Sequence, residues 1–436
     1  MTTIEHHIVI IGNGVSGITC ARHIRKQSKN KITVISSETD YHFSRTALMY
    51  IYMGHMRYED TKPYEDDFWI KNKINLLNKQ VIQVIVKENK LIFSDGNSLQ
   101  FDQLVLATGS ESNFFNWPGQ NLKGVQGLYS YQNLKLMEQS TMNINHAVVV
   151  GGGLIGVEMA EMLLSRNIGV TYLVRENKFW SAVFSSDESR LIEAHLRSHH
   201  VDLRLEKELI SIQGDNEQRV RAVTLSDQSA VECQFVGIAV GVSPAISFLK
   251  DSGIETDKGI LVNEFFETNV KDIYAIGDCA QQRNPLPGRK SVESVWYTGK
   301  IQGEALANSL VGNKFAYNPG KWFNSAKFFD IEFQTYGDVP ASTADGISEF
   351  FWKHEDNLKS IRVVYHTNSR VFTGMNTLGI RIRHVLMDQW LRENRTIDFV
   401  VDHLQEAVFD PEFYKPYHQL FQKAFEFGSN SIKNEP

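Results

Sequence analysis

The chain has 436 residues, of which 42% are hydrophobic and 22% are charged, and its formal net charge is −6. This length predicts two or three domains, because single hydrophobic cores stop growing at about 250–300 residues. The negative charge argues against a dedicated nucleic-acid binder, which normally presents a basic surface. No stretch reaches the ~20 apolar residues that span a bilayer, and we expect no signal peptide. A cytoplasmic protein without nucleic-acid partners is expected.

The first glycine motif follows a short apolar strand that we predict from Ile8 to Ile11. Gly12, Gly14 and Gly17 form the pattern G-x-G-x-x-G, a helix follows, and a β-branched strand is predicted from Ile32 to Ile35. In such a unit the first glycine permits a tight turn, and the second lets the backbone approach a pyrophosphate. The third allows close helix–strand packing, while free N–H groups at the helix N-terminus attract phosphate. The segment predicts a dinucleotide site.

The acidic residue expected at the end of the second strand is displaced along the chain. Ser36 and Ser37 occupy the strand end, and Glu38 follows them. Because an acidic side chain at this point bonds the ribose hydroxyls in dinucleotide-binding units, Glu38 is the predicted ribose ligand of the first site. An exposed surface acid is the structural alternative for the same residue.

A second glycine motif repeats the first one further along the chain. A strand predicted over 147–150 leads into Gly151, Gly153 and Gly156, and a helix and a strand over 170–174 follow. Two complete fingerprints in one chain are much more specific than either one alone. They predict two dinucleotide sites.

The choice of nucleotide at the second site depends on two adjacent residues of opposite charge. Arg175 stands where an NAD-binding unit would place an acid, and an arginine there can accommodate the 2′-phosphate of NADPH. Glu176, next to it, would repel that phosphate. The pattern favours NADPH and leaves NADH open.

Cysteines and histidines give no metal or redox motif by their spacing. Cys20, Cys233 and Cys279 are far apart, so no C-x-x-C pair is present. His195 and His199 are four residues apart and could share a helix face. They lack the glutamate of a metalloprotease helix, so a solvated helix face is the favoured interpretation, and we predict no metal site.

The C-terminal part changes in composition from Lys321 onward. Alternating aromatic and polar runs, broken by Asp, Asn and Gly, predict an antiparallel sheet. Two helices are predicted near Ile382 to Glu393 and Ile397 to Phe409. The last aromatic segment, at 413–427, is favoured as a core or subunit-interface helix. An interfacial membrane helix is the alternative, because lysines stand between its aromatic residues.

Three further segments follow in a fixed order and carry a family resemblance. They read FDQLVLATGS at 101–110, GIAVGVSP at 237–244 and TNVKDIYAIGDCA at 268–280. Together with the two glycine motifs, they resemble FAD-dependent pyridine nucleotide–disulfide oxidoreductases over roughly residues 7 to 312. The resemblance implies FAD as cofactor, NADPH or NADH as the second nucleotide, and an α/β fold.

The resemblance also implies roles for individual residues. In the family, the aspartate matching Asp278 bonds the ribityl chain of FAD, and the glycine matching Gly277 permits close approach. Thr108 and Gly109 match the crossing beside the flavin nucleotide, and Gly241 matches the segment that closes the nicotinamide domain. These five residues are predicted cofactor contacts.

Two more segments match the FAD site of relatives. The valine matching Val81 contacts the adenine end of FAD through its backbone, although a plain strand valine is the alternative. The segment at 292–310 resembles the helix whose N-terminus faces the flavin pyrimidine ring, where it stabilises negative charge. Val295 and Trp296 are therefore predicted flavin neighbours, with a core role as the alternative for Trp296.

The helix that carries redox cysteines in disulfide reductases has none here. Its counterpart reads YHFSRTALMYIYMG at 41–54. The segment instead resembles the ferredoxin, rubredoxin and nitrite reductase flavoproteins, in which the arginine matching Arg45 lies near FAD. Tyr50 falls where those relatives often place a lysine that pairs with the glutamate matching Glu158. We expect Tyr50 and Glu158 to be candidate catalytic residues, with packing as the alternative for Tyr50.

The resemblance implies transfer of hydride from NAD(P)H to the flavin and of electrons to an acceptor other than a disulfide. An iron–sulfur protein, a quinone or oxygen are the candidate acceptors. Two alternatives stay open: a membrane-associated type II NADH:quinone reductase, and a redox-sensing flavoprotein scaffold without turnover. A homodimer is compatible with the family's third domain, which often supports dimer contacts.

The family also implies how the chain is divided into domains. We predict two Rossmann-like dinucleotide-binding domains, one inserted in the other, and a C-terminal α+β domain with an antiparallel sheet. The FAD-binding domain is expected at 1–115 and 256–318, the NAD(P)-binding domain at 116–255, and the C-terminal interface domain at 319–436.

Overall fold

The computed structural model describes residues 6–409 and 415–432, with side chains up to residue 428. The chain forms two compact units. Unit 1 comprises Met1–Asn116, Lys123–Asn143 and Ile238–Pro319, and unit 2 comprises Trp117–Leu122, Ile144–Gly237 and Gly320–Pro436. A division into two compact units does not test the three domains that the sequence predicts, and these stay a prediction.

Helices and strands succeed one another along the described residues at short intervals. The helices are α1 (Val15–Gln27), α2 (Leu48–Tyr52), α3 (Phe68–Lys71), α4 (Tyr131–Ser140), α5 (Leu154–Ser165), α6 (Ser186–Ser198), α7 (Trp296–Leu310), α8 (His384–Arg392), α9 (Ile397–Asp402) and α10 (Tyr417–Ile432). The strands are β1 (His7–Ile11), β2 (Lys31–Ser36), β3 (Ile74–Asn78), β4 (Val81–Ile85), β5 (Lys90–Phe93), β6 (Ser98–Gln100), β7 (Gln103–Leu106), β8 (Ser110–Ser112), β9 (Val125–Gly127), β10 (His146–Val150), β11 (Gly169–Val174), β12 (Asp202–Leu205), β13 (Leu209–Gly214), β14 (Val220–Leu225), β15 (Ala230–Glu232), β16 (Phe235–Ile238), β17 (Val242–Pro244), β18 (Ile260–Val262), β19 (Ile273–Ala275), β20 (Ala280–Gln282), β21 (Phe323–Phe328), β22 (Ile331–Gly337), β23 (Ile347–Lys353), β24 (Ser360–His366) and β25 (Phe372–Leu378).

The central sheet of unit 1 is parallel and has the strand order β19-β7-β1-β2-β3. Ile8, Val9 and Ile10 of β1 are fully buried. A continuous β-branched run is typical of a parallel strand that is covered on both faces. The strands predicted over 8–11 and 32–35 lie within β1 and β2, so this part of the α/β prediction is confirmed.

Helices α1 and α7 of unit 1 pack closely because glycine removes the side chain at their crossing. A Cβ on Gly299 would lie 2.6 Å from Ser16 Oγ, and one on Gly303 would lie 2.5 Å from Ser16 O. Real Cβ contacts are much longer, so neither position tolerates a side chain without movement. This crossing fixes the N-terminus of α7 relative to the turn between β1 and α1.

Unit 2 repeats the β1-α1-β2 arrangement with β10, α5 and β11. The strands β12, β11 and β10 are parallel neighbours, and β16 pairs with β10 on the other side. The repetition extends to single side chains. His7 Nε2 lies 2.9 Å from Thr33 Oγ1 in unit 1, and His146 Nε2 lies 2.9 Å from Thr171 Oγ1 in unit 2. The predicted pair of Rossmann-like units is confirmed.

The predicted C-terminal antiparallel sheet is also present, in unit 2, with the order β21-β22-β25-β24-β23. Both predicted helices exist, as α8 and α9, but they are shorter than expected. Ile382 and Val408 pair in an antiparallel β-bridge, which holds the backbone extended at both positions. The first helix therefore begins at His384, and the second ends at Asp402 before a 3₁₀ turn.

The aromatic C-terminal segment forms α10, which packs on the sheet of unit 2. Tyr417, Phe421 and Phe425 are buried and lie on one helix face, four residues apart. The Phe425 ring lies 5.1 Å from that of Phe350. These contacts support the core interpretation. Within residues 6–409 and 415–432, no helix is long and apolar enough to cross a membrane. Residues 413 and 414 of the segment lie outside the described residues.

A buried charged network joins α6 to the C-terminal sheet. Arg362 on β24 and Glu188 in the first turn of α6 are both fully buried. Arg362 Nη1 donates to Glu188 Oε2 at 3.1 Å, and Arg362 Nε donates to Glu349 at 3.0 Å. Asn376 Nδ2 donates to Glu188 Oε1 at 2.9 Å. Removing the arginine from this network leaves the Glu188 carboxylate buried without a compensating charge.

Replacement of this buried arginine should strongly destabilise the protein. We expect Arg362→Leu to lower the free energy of unfolding by about 3–5 kcal/mol, because the carboxylate of Glu188 would remain buried and unpaired. Urea unfolding followed by tryptophan fluorescence measures the change. Arg190→Ala, which removes an exposed arginine from the same helix, is the control and should change stability by no more than about 0.5 kcal/mol. Equal midpoints for the two variants would contradict the expectation.

Candidate functional site

The first glycine motif forms an open turn between β1 and α1. Gly12 has φ +115°, and a Cβ there would lie 2.0 Å from Ala107 O. A Cβ on Gly17 would lie 2.1 Å from Gly12 O. Gly14, which lies between them and caps α1, has open space around its Cβ position. Gly12 and Gly17 are thus required by the close approach of the backbone. Gly14 leaves the space that a pyrophosphate at a helix N-terminus needs.

The second motif has the same geometry between β10 and α5. Gly151 again has φ +115°, and a Cβ on Gly156 would lie 2.5 Å from Gly151 O. Nothing lies within 4 Å of the Cβ position of Gly153, which caps α5. Tyr172 OH donates to Gly153 O at 3.1 Å and supports the turn. We call these two turns the first and second glycine cradles.

Glu38 and Arg45 lie together beside β2, as a bidentate ion pair. Arg45 Nη1 donates to Glu38 Oε1 at 2.8 Å, and Arg45 Nη2 donates to Glu38 Oε2 at 2.5 Å. The backbone N–H of Tyr131 donates to Oε1 at 2.9 Å. A carboxylate has about four acceptor positions, so one remains for a further hydrogen-bond donor. Three hydrogen bonds fix the Glu38 carboxylate, and this argues against the alternative of an exposed surface acid.

Tyr129 connects this pair to Asp278, and no motif in the sequence points to it. Arg45 Nη1 donates to Tyr129 O at 2.6 Å, and its guanidinium lies 4.6 Å from the centre of the Tyr129 ring. Tyr129 OH donates to Asp278 Oδ2 at 3.3 Å and accepts from the Ser110 N–H at 2.9 Å. Burial raises the pKa of Asp278, and it also raises the pKa of Tyr129. Three predicted FAD residues, at positions 38, 45 and 278, are thus joined through one unpredicted tyrosine.

The other predicted cofactor contacts from the segments at 101–110 and 237–244 lie at turns of unit 1. Thr108 Oγ1 donates to Ala245 O at 2.8 Å. Gly109 has φ +72°, and a Cβ there would lie 2.7 Å from the hydroxyl of Tyr129. Gly241 has φ +98°, and its carbonyl accepts from the N–H of Asn113 at 3.1 Å. Each side chain or glycine is therefore fixed by a specific contact.

The turn that carries Asp278 is held against α7. Gly277 has φ +76°, and a Cβ there would lie 2.5 Å from Ser16 Oγ. The N–H of Gly277 donates to Gln302 Oε1 of α7 at 2.7 Å. The first cradle, the 277–278 turn and α7 therefore lie together in unit 1, as the resemblance implies.

Helix α7 begins at Trp296, with Val295 as its N-cap residue. Trp296 is 42% exposed, so the alternative of a core tryptophan is wrong. Just before the helix, Arg289 and Glu293 form a partly buried ion pair in which Arg289 Nε lies 2.6 Å from Glu293 Oε1. Sequence reasoning missed this pair. Val81 lies in β4, where it pairs with Phe93, and its proposed backbone contact with FAD stays a prediction.

Two polar residues near the first cradle, the buried Asn13 and the partly buried His42, were also missed. Asn13, the residue between Gly12 and Gly14, donates from Nδ2 to Thr39 O at 2.9 Å. His42 Nδ1 lies 2.7 Å from Asn13 O. Burial lowers the pKa of His42 to about 4, so the ring is neutral at neutral pH and donates to this carbonyl. A polar residue inside the glycine motif was the available sequence indication for Asn13.

Tyr50 and Glu158, the two candidate catalytic residues, belong to different compact units. Tyr50 lies in α2 of unit 1, and its ring stacks on that of His55 with centroids 6.2 Å apart. Glu158 lies on α5 of unit 2, two residues after the last glycine of the second cradle. Burial, and then the charge of Glu161, raise the pKa of Glu158 to about 7. Glu161 itself pairs with Lys327 at 3.0 Å.

Arg175 and Glu176 follow β11 at the edge of the second cradle. Arg175 Nε donates to Glu176 Oε1 at 2.8 Å, and the Arg175 side chain is 71% exposed. The two opposite charges that stand side by side in the sequence therefore neutralise one another. Arg175 is accessible to a ligand, but it is already engaged by a carboxylate.

The expectation of a solvated face for the two helical histidines is wrong for one of them. His195 is 4% exposed, because α6 turns it towards the loop between β21 and β22. His195 Nε2 lies 2.6 Å from Asp330 Oδ1, and His199 Nε2 lies 3.4 Å from the same oxygen. The sequence could not show this, since the aspartate belongs to a distant hairpin.

The three cysteines are individually buried and unpaired. Burial raises the pKa of the thiols of Cys20, Cys233 and Cys279 above the usual range. A buried thiol with a raised pKa is a poor nucleophile, because the thiolate is the reactive form. None of the three is suited to relay electrons through a disulfide.

Two glycine cradles, each between a parallel strand and the helix that follows it, define an α/β protein with two dinucleotide-binding units. The chain belongs to the pyridine nucleotide-disulphide oxidoreductase family, whose family model matches residues 6–299.

Individual relatives show where the similarity extends. The chain is 29% identical to the NAD(P)H nitrite reductase of Bacillus subtilis, over 64% of this chain and 35% of the relative. The chain therefore spans about a third of that protein's length. It is 26% identical to a rubredoxin-NAD(+) reductase of Pseudomonas putida, over 74% of this chain and 85% of the relative.

A solved structure confirms the fold at low identity. A ferredoxin reductase from Rhodopseudomonas palustris superposes with a TM-score of 0.78 at 21% identity, covering 86% of this chain and 91% of that chain. The similarity therefore extends over most of both chains.

The raised pKa of Glu158 predicts a pH-dependent stability. Below about pH 4.5 the carboxyl is protonated in both the folded and the unfolded chain. Between 4.5 and about 7 the unfolded chain ionises first, so this residue progressively lowers the free energy of unfolding as the pH rises. We expect the melting temperature of Glu158→Gln, relative to the wild type, to rise between about pH 5 and about pH 8.

Differential scanning fluorimetry across this pH range provides the measurement. The control is Glu217→Gln, which changes an exposed carboxylate of the same unit. Its melting temperature relative to the wild type should not vary with pH. A difference for Glu158→Gln that is the same at all pH values would show that the carboxyl is not perturbed.

Proposed function

We propose that the chain is an FAD-dependent NAD(P)H:acceptor oxidoreductase whose acceptor is not a disulfide. The observation that carries the proposal is the duplicated glycine cradle, with φ +115° at both first glycines and open space at both second glycines. Bound FAD would supply the chemistry, by accepting hydride from the nicotinamide and releasing electrons singly or in pairs. The chain would supply binding, orientation and charge.

Unit 1 has the groups that FAD requires. The open space at Gly14 suits the pyrophosphate, and the remaining acceptor position of Glu38 suits a ribose hydroxyl. Arg45 brings a positive charge close to both. Asp278 is restrained by Tyr129 and presents its other oxygen as an acceptor for the ribityl hydroxyls. The tyrosine between Arg45 and Asp278 keeps these two charged groups at a fixed separation.

Unit 2 supports NAD(P)H binding in the same way. The space at Gly153 suits the second pyrophosphate, and Arg175 lies at the end of β11, where the 2′ position of the adenosine ribose is read. Glu158, with a pKa of about 7, is partly protonated at neutral pH. In that form it can donate a hydrogen bond to the carboxamide oxygen of the nicotinamide, which an ionised carboxylate cannot do.

A small iron–sulfur protein is the acceptor class that we propose. The buried thiols leave no relay through a disulfide, and a relative with 85% of its length covered is a rubredoxin-NAD(+) reductase. Oxygen is the other acceptor to test, since the chain is 29% identical to an NADH oxidase of Methanocaldococcus jannaschii over 74% of both chains. Tyr417, Phe421 and Phe425 of α10 are buried in unit 2, so these three side chains are not available to dock a quinone reductase on a membrane.

The first test is anaerobic mixing of the purified flavoprotein with NADPH or NADH in a stopped-flow spectrophotometer. We expect rapid bleaching of the flavin absorbance in the wild type. Gly14→Val should lower the FAD content, because the new side chain fills the pyrophosphate space. Gly153→Val should retain FAD but bleach only at much higher nucleotide concentration. Both glycines have extended backbone angles that valine tolerates, so each variant should fold.

These two variants are matched controls for each other. An absence of FAD from the wild type, or equal FAD loss in both variants, would contradict the assignment of the two cradles. If neither nucleotide bleaches the flavin of the FAD-loaded wild type, the proposed reductase function is contradicted and a sensor or scaffold is favoured. Reoxidation by a small iron–sulfur protein, faster than by oxygen, would support the proposed acceptor class.

The Arg175–Glu176 pair predicts how coenzyme preference can be changed. Arg175→Ala should weaken NADPH by about 10- to 100-fold, since charge-assisted hydrogen bonds contribute about 1.5–3 kcal/mol, and should leave NADH nearly unchanged. Glu176→Gln should strengthen NADPH, because it releases Arg175 and removes a repelling charge. Dissociation constants from anaerobic titration measure both effects. Equal effects of Arg175→Ala on the two nucleotides would remove the basis for an NADPH preference.

A further inference from the structure

Three side chains of unit 2 that the proposed function does not use converge on one point. His195 and His199 come from the end of α6, and Asp330 comes from the loop between β21 and β22. One ligand atom from each of the three lies within 4.8 Å of the others. We call this group the His–His–Asp cluster.

The fold places the two histidines on one side of the helix end. Residues four apart on a helix are neighbours on its surface, and the two imidazole centroids are 4.5 Å apart. Asp330 lies in a two-residue hairpin loop, since Phe328 pairs with Ile331 across it. The loop also contains Phe329 at φ +57°, an unusual backbone conformation for a bulky residue.

Burial distinguishes this cluster from a chance surface contact. His195 is 4% exposed, and neither of its ring nitrogens makes a well-aligned hydrogen bond with the described residues, although Nε2 is only 2.6 Å from Asp330 Oδ1. The ring of Phe329 stacks on that of His199 at 4.7 Å and fixes its plane. Asp330 is 68% exposed and gives access from solvent.

We propose that the His–His–Asp cluster binds one divalent transition-metal ion, with Zn²⁺ as the best match. Two imidazole nitrogens and a carboxylate oxygen are typical zinc ligands, and a solvent molecule completes four-coordination where one side is open. With zinc–ligand distances of about 2.0–2.2 Å, two ligand atoms on one tetrahedral ion lie roughly 3.4 Å apart. The His199–Asp330 distance of 3.4 Å already meets this value. The 2.6 Å contact of Asp330 with His195 has to lengthen when an ion binds, and the 68% exposure of the Asp330 side chain leaves room for that movement.

A histidine–aspartate ion pair is the competing explanation. It accounts for the contact of Asp330 with His195. It accounts less well for the second imidazole, which stacks on Phe329 and keeps Nε2 3.4 Å from the same oxygen, longer than an ordinary N–H···O hydrogen bond. A bound ion would join the C-terminal end of α6 to the hairpin of the C-terminal sheet. The site is independent of FAD and NAD(P)H, so it holds or fails separately from the proposed function.

Isothermal titration of the untagged, full-length flavoprotein with ZnCl₂, after EDTA treatment and buffer exchange, tests the site. We expect one equivalent of Zn²⁺ per chain and a rise in melting temperature with metal concentration. Asp330→Asn and His199→Gln should each weaken binding by at least about tenfold, since even loss of a second-shell partner costs about 10- to 100-fold. His200→Gln, which changes the adjacent exposed histidine, should bind as the wild type does.

Cobalt gives an independent reading of the ligand set. Co²⁺ bound to the cluster should show visible absorption of a four- or five-coordinate site, lost in Asp330→Asn. Absence of stoichiometric Zn²⁺ binding by the wild type would overturn the proposal, whatever the variants do. Unchanged binding in either ligand variant, or an equal loss in His200→Gln, would also overturn it, because the ion would then lie elsewhere.

Discussion

The turn from β1 into α1 brings the backbone so close to itself that no side chain fits between Gly12 and Gly17. This contact sets the direction of the helix, and with it the position of the N–H groups at the helix N-terminus. As a result, the space next to Gly14, the residue that caps α1, stays open at the end of β1. Neighbouring structure is arranged around the same turn: the 277–278 turn and α7 both meet α1 at Ser16. A dinucleotide site therefore arises from one backbone approach that only glycine permits.

The same constraint occurs again in unit 2, and the two copies differ in the charged residues that follow the second strand. In the first copy, the acid after the second strand is Glu38, held by Arg45 and by a backbone N–H with one acceptor position left. In the second copy, the equivalent place holds an exposed arginine that is balanced by Glu176. The proposed function explains this difference, since a carboxylate held by three hydrogen bonds would suit a cofactor that stays bound. An exposed and partly neutralised charge suits a nucleotide that must bind and leave in each cycle.

Local pattern predicted the two glycine turns, the parallel strands and the C-terminal antiparallel sheet, because these depend on short-range periodicity and on glycine. Helix ends near residues 382 and 409 were placed wrongly, since a bridge between Ile382 and Val408 decides them. Tyr129 could not be found, because its hydroxyl meets a residue 149 positions away. Asp330 near His195 was missed for the same reason. A lone tyrosine or aspartate carries no spacing that identifies its partner.

Both ends of α6 are attached to the C-terminal sheet of unit 2 by charged groups. Glu188 in its first turn meets Arg362, and His195 in its last turn meets Asp330. The two attachments are about 10 Å apart, given 1.5 Å of rise per residue. Together they fix the direction of the helix axis, which a single attachment would not do. The loop between β11 and α6 depends on this, because the N–H of Phe179 donates to Glu193 of α6 at 2.9 Å. That loop begins at Arg175, directly after β11, so the C-terminal sheet helps to position the residues that follow the second Rossmann-like strand.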